Sequence, residues 1–130
     1  MEMTITLPGK KKVDAIFNGF TVHTDQPVEA GGDGGAPSPF DVFLAAIGTC
    51  SGFYVASFCQ QRGIATDKIR ITQAMDFDNE SHLIRRIMLT IHLPSDFPEK
   101  YRDAVVHAAN LCTVKRHLET PPEITVNLAE

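Results

Sequence analysis

The sequence predicts one domain, residues 1–130, in which short strands frame a long apolar helix and a second helix follows. Three observations predict it. The run from Val42 to Cys59 holds no charged residue. The segments Ile69–Phe77 and Ile87–Leu93 alternate apolar and polar side chains, the period of a half-buried strand. Asn18-Gly19 and Asp78-Asn79-Glu80-Ser81 supply reversals between neighbouring strands. With 43% apolar and 22% charged residues in 130, the chain can bury a core and is not compositionally disordered.

The elements follow in order. Met3–Leu7 reads as a first strand, ended by Pro8-Gly9. Lys12–Phe17 and Phe20–Thr24 form a hairpin, because Asn18 and Gly19 both tolerate positive φ. Glu29–Ser38, with four glycines, reads as a flexible linker; no Lys-Ser/Thr sequel follows, which argues against a phosphate loop. Ser38 is the expected N-cap of the long helix, with Pro39 at its first position and Asp41 completing a capping box. That helix should end at Gly63 after about 36 Å. Gly48, Gly52 and Ala56 place small side chains on one face, which predicts close approach of a second helix, most simply another copy of the same one. Ile69–Phe77 and Ile87–Leu93 are antiparallel neighbours. Asp96–Glu99 opens the second helix, whose apolar face runs through Tyr101, Ala104, Val105, Ala108 and Cys112. A short helical turn over 113–118 follows, Pro121-Pro122 stops it, and Ile124, Val126 and Leu128 alternate as a final strand.

Several function classes are excluded by composition. A net charge of −4 offers no basic field for nucleic acid or for an anionic membrane surface. Val42–Cys59 is long enough to raise a membrane span, but Gly48, Thr49, Ser51, Gly52 and Ser57 dilute it, and the flanking strands need it as core. Three unevenly placed cysteines do not make a secreted disulfide framework, and no signal-peptide pattern opens the chain, so a reducing cytoplasm is expected. The five histidines have no metal-ligand spacing, no Cys-x-x-Cys occurs, and no Gly-x-Ser-x-Gly elbow is present.

The cysteines remain. Cys50 lies in the middle of the long helix, too deep for that helix's own dipole to activate it. In plain apolar surroundings it is an inert buried thiol; to react it needs a cation or hydrogen-bond donor from elsewhere. Cys112 is either ordinary core or a thiol made accessible by the chain reversal around it. Cys59 follows Cys50 by nine residues, which puts it on the opposite side of the helix and marks it as structural.

The segment Pro37-x-Pro-Phe-Asp41-x-Phe-Leu-Ala-Ala-Ile-Gly-Thr-Cys50-Ser-Gly resembles the central-helix motif of the OsmC/Ohr family, the osmotically inducible and organic hydroperoxide resistance proteins. Leu111-Cys112-Thr-Val114-x-x-x-Leu118 is similar to that family's second cysteine motif, and the order of elements matches over nearly the whole chain. The resemblance implies an α+β, OsmC-like fold assembled as an intertwined homodimer with a buried central helix. It implies a cysteine-based peroxidase that reduces small organic hydroperoxides, with Cys50 as peroxidatic and Cys112 as resolving thiol. Sulfenic acid and disulfide would alternate, a dithiol would serve as reductant, and no metal or organic cofactor would be needed.

Family members with this activity hold the thiolate with an arginine from the N-terminal strands and a glutamate at the start of the central helix. Here no arginine precedes Arg62, and Phe40 takes the glutamate's place. Lys10, Lys11, Lys12 or Arg116 are candidate cations. Asp41 is either a capping-box residue or an acid that meets a Cys50 thiol across the dimer. The rival reading is a non-enzymatic OsmC-like protein that binds a small ligand or senses redox state through the same thiols.

Overall fold

The computed structural model describes residues 1–129, an α+β chain in which the described residues form five strands and three helices. The chain divides into two compact units, residues 1–45 and 46–130.

In the first unit, β1 (Thr4–Gly9), β2 (Lys12–Phe17) and β3 (Phe20–Thr24) make an antiparallel sheet in that order. Phe17 pairs with Phe20 across the reversal, where Asn18 and Gly19 have φ of 49° and 79°. These are the left-handed conformations that an Asn-Gly hairpin turn demands.

The expected flexible linker is instead a folded loop. The Asp25 carboxylate, 1% exposed, accepts the N–H groups of Gln26 (2.7 Å) and Gly35 (3.1 Å). Asp25 N–H donates to Pro37 O at 3.2 Å, and Gly34 N–H to Gln26 O at 3.0 Å. A side chain at Gly32 would collide with the Gln26 carbonyl oxygen. The glycines therefore permit close backbone approach around one buried carboxylate, which composition alone reads as flexibility.

The long helix, α1, covers Pro39–Gln61 and spans the boundary between the units. It starts where the capping signals put it: Ser38 Oγ accepts the Asp41 N–H at 3.1 Å. It ends before Gly63, whose φ of 66° lies in the left-handed region that favours glycine.

In the second unit, β4 (Arg70–Asp78) and β5 (Leu83–His92) pair antiparallel, with Ile71 opposite Ile91. Val55, Phe58 and Cys59 of α1 join Phe97 and Val105 in the core, and Ile69, Ile71, Ile91 and Leu93 pack against them. Removing a side chain such as Val105 from water contributes on the order of 2 kcal/mol. The inward alternation of β4 stops early, since Met75 and Phe77 are exposed. The second helix is broken: a 3-10 turn at Glu99–Tyr101 leads into α2 (Arg102–Ala109), and α3 (Thr113–Glu119) starts separately.

Within the single chain the central helix is buried along one stripe, Ile47, Ser51, Val55, Phe58 and Cys59, while Phe53 is 64% exposed; two other expectations need correction. By length and composition α1 is apolar enough to span a membrane, yet that stripe is used as protein core. The small-residue face is met by β4 of the same chain: a side chain at Gly48 would strike Gln73 Oε1, and one at Gly52 would touch Ile71 Cδ1 at 3.9 Å. The final strand over Ile124–Leu128 does not form; Ile124, Val126 and Leu128 are all exposed. Alternation makes a segment suitable for pairing, but a strand exists only where a neighbour offers a ladder.

Candidate functional site

Cys50 sits three turns into α1 and is half-buried. Cys112 reaches it by way of the break between α2 and α3. The chain leaves α2 at Ala109, and Ser51 Oγ donates to the Ala109 carbonyl at 3.2 Å, fastening that end of α2 to α1. Cys112 is then the extended N-cap of α3, with φ −49° and ψ 124°. Its sulfur accepts the Lys115 N–H at 3.4 Å and makes a long contact, 3.9 Å, with the Ile47 carbonyl one turn before Cys50.

The first N–H groups of any helix lack partners within it. In α3 those of Thr113 and Val114 lie near enough to the Cys50 sulfur to act on its ionisation, as does the Cys112 thiol. Burial pushes the Cys50 thiol pKa up, but the Val114 amide, the Cys112 thiol and the Thr113 amide together outweigh it and hold the pKa below its ordinary value. Cys59, on the same helix, goes the other way: burial raises its pKa, and the Arg62 charge only partly opposes that. All three thiols are free.

The donors at Cys50 are thus backbone amides and a thiol. No cation figures among its interactions. Lys10 and Lys12 both pair with Asp33, at 3.0 and 2.9 Å. Arg62 lies over the Phe58 ring, 3.7 Å from its centroid. Asp41 is exposed on the first turn of α1, where its N–H completes the Ser38 cap. Of the two alternatives for Cys112, ordinary core or a thiol accessible at a reversal, the structure shows a fully buried sulfur that caps α3.

A largely apolar cleft of about 500 Å³ opens between Ile47 and Ser51 of α1, Ile71 and Leu89 of the sheet, and Asn110 and Lys115; no cysteine lines it, but Ile47 and Lys115 also contact the Cys112 sulfur through their backbones. A thiol with a lowered pKa, a second thiol in contact and an apolar cleft nearby suit oxidation of sulfur by a small apolar oxidant. Among the described residues no group of three or more His, Cys, Asp and Glu is arranged to hold a metal ion. The roles of Thr113 and Val114 escaped the sequence reading, since backbone donors leave no mark in residue type. The signal available was the predicted short helix itself, whose opening amides need partners.

The model of the family described as OsmC-like protein matches residues 32–127. Solved structures share the fold. A candidate osmotic stress induced and detoxification response protein from Psychrobacter arcticus 273-4 aligns with TM-score 0.74 at 18% identity, over 88% of this chain and 85% of that one. An organic hydroperoxide resistance protein OsmC from Legionella pneumophila aligns with TM-score 0.59 at 17% identity, over 91% and 89%. The organic hydroperoxide resistance protein OhrB of Bacillus subtilis aligns with TM-score 0.53 at 18% identity, over 90% of each chain. No curated protein matches the sequence.

Proposed function

We propose that this chain, which belongs to the OsmC-like protein family, is a thiol-dependent peroxidase of organic hydroperoxides. Cys50 is the attacking thiolate and Cys112 the resolving thiol. What supports this reading is the placement of Cys112 as N-cap of α3 against Ile47, one turn before Cys50, with the Cys50 pKa lowered by the Val114 amide, the Cys112 thiol and the Thr113 amide. Thiolate sulfur attacks one oxygen of the hydroperoxide and the O–O bond breaks. The sulfur is oxidised to sulfenic acid, and the alkoxide leaves as alcohol after taking a proton. Cys112 sulfur then displaces the sulfenic oxygen, which departs as water with the Cys112 proton, and a disulfide forms. A small dithiol or dithiol protein returns both thiols. The cleft beside Ile47 and Ser51 suits an apolar substituent on the oxidant.

The working form is a homodimer in a reducing cytoplasm. Exposed Phe53 and the unpaired apolar tail Ile124–Leu128 are surfaces that a second copy would cover. Asp41 acts chiefly at the start of α1, and an acid role for it across the dimer is tested by Asp41→Asn.

One observation favours a second reading, a ligand-binding or redox-sensing protein: no arginine precedes Arg62, and Lys10 and Lys12 are engaged by Asp33. Reduced protein mixed with a slight excess of cumene hydroperoxide, with thiols mapped by mass spectrometry, separates the two. A peroxidase gives one Cys50–Cys112 link and continued consumption with added dithiol. Cys50→Ser abolishes consumption; Cys112→Ser allows one turnover and leaves Cys50 over-oxidised. A link without turnover means a sensor, and slow oxidation in which Cys59 reacts as readily means a binding module.

A further inference from the structure

Tyr54 lies one helical turn beyond Cys50, so both project from the same side of α1. Its hydroxyl is 2.8 Å from Thr113 Oγ1, and Thr113 is the first residue of α3. The amides of that same Thr113 and of Val114, at the opening of α3, are among the groups that act on the Cys50 thiol. The Tyr54 ring packs edge-on against Phe53, centroids 5.3 Å apart, so the hydroxyl is held in place by its own neighbour.

Such a tie is needed because α3 is short, seven residues, and is not continuous with α2. The Ser51–Ala109 hydrogen bond fixes the end of α2 but lies before the break. The contact of Cys112 with Ile47 O is long, 3.9 Å, and uses the sulfur that resolution would consume. The Tyr54–Thr113 hydrogen bond uses neither of the sulfurs that this step would consume.

We infer that Tyr54 is a positioning residue: its hydroxyl holds Thr113 so that the opening amides of α3 stay on the Cys50 sulfur. The inference rests on Cys50 being the reactive thiol of the proposed function. The titratable groups around that sulfur are Cys112 at the start of α3 and Tyr54 on its own helix. From α3, Lys115 extends its ammonium to Asn110 Oδ1 at 2.9 Å and towards Glu119 at 4.0 Å.

The test is the pH profile of Cys50 alkylation by iodoacetamide, resolved by peptide mass spectrometry, in the full-length protein. Tyr54→Phe keeps the ring and removes only the hydroxyl, and Thr113→Val removes the other partner. Each should raise the Cys50 inflection by about half a pH unit, the size of a weakened hydrogen bond to an ionised group. The double variant should move it no further, and Thr113→Ser should leave it at the wild-type value. Far-ultraviolet circular dichroism confirms that the variants are folded. An inflection within about 0.1 unit of wild type in both single variants overturns the inference, as does an additive double variant. The inference and the function fail separately. A wild type that consumes no hydroperoxide but shows the shift in Tyr54→Phe refutes peroxidase activity and leaves Tyr54 its role; a wild type that turns over while Tyr54→Phe titrates unchanged does the reverse.

Discussion

Replacing Val114 by proline deletes one backbone N–H; because proline also disfavours the helical conformation of Thr113 before it, the comparison is made with circular dichroism showing the helices intact. Position 114 lies in the first turn of α3, where an amide has no helical partner and proline's fixed φ is tolerated. What disappears is the largest of the interactions that lower the Cys50 pKa. A hydrogen bond to an ionised group contributes about 1.5–3 kcal/mol, and sulfur is a weak acceptor, so the lower figure applies. At about 1.4 kcal/mol per pH unit, the Cys50 inflection should rise by about one unit. At any pH below both inflections the thiolate population falls about tenfold. A more basic thiolate is also a better nucleophile, by roughly threefold per unit, so the observed alkylation rate below both inflections should fall only about threefold. Above the new inflection the variant should react faster than wild type. Site-resolved alkylation from pH 5 to 10 reads both effects, and the crossing of the two curves is the signature of a pKa change rather than of lost access. Arg116→Ala, which removes a cation absent from the Cys50 interactions, should leave the curve in place. An unmoved inflection in folded Val114→Pro, or a uniform slowing at every pH, would refute the amide argument.

The two thiols of α1 should have opposite signs in stability against pH. The Cys50 pKa is depressed, so its contribution is fully present above the ordinary thiol value of 9.0 and is lost as pH falls through the lower folded pKa. The Cys59 pKa is raised, so its contribution is fully present below 9.0 and is lost as pH rises through the higher folded pKa. Urea midpoints at pH 7 and 10 for Cys50→Ser and Cys59→Ala should therefore diverge from wild type in opposite directions; parallel shifts would contradict the assignment. Gly32→Ala should destabilise by about 3 kcal/mol, because the new carbon meets the rigid Gln26 carbonyl. Gly48→Ala meets only the flexible end of Gln73 and gains helix propensity, so it should lie within about 1 kcal/mol of neutral by the same urea measurement. The Asp25 carboxyl is held below its ordinary pKa by the Gln26 and Gly35 amides, so its contribution is full above 3.8 and is lost as pH falls through the lower folded value. Asp25→Asn should flatten the acid limb of a stability–pH curve, and an unchanged limb would count against it.

The elements were legible where one residue type answers one geometric demand. Asn18-Gly19, Ser38-Pro39 and Gly63 each mark a boundary that the structure respects within a residue or two. The thiol pair was legible only through the family resemblance, since nothing in the spacing of Cys50 and Cys112 says that two helices will bring them together. Three features were hidden for different reasons. The order of the Asp25 loop comes from backbone hydrogen bonds that its glycines permit but do not announce. The activation of Cys50 comes from amides, which every residue carries. The missing final strand fails for want of a partner, and a partner is not a property of the segment itself.

The placement of Cys112 at the head of α3 bears on how this chemistry can be lost. A serine in that position is among the best of helix-capping residues, so its hydroxyl would satisfy the Lys115 amide at least as well as a sulfur 3.4 Å away. Exchange of one atom would therefore remove the second thiol while leaving the scaffold sound.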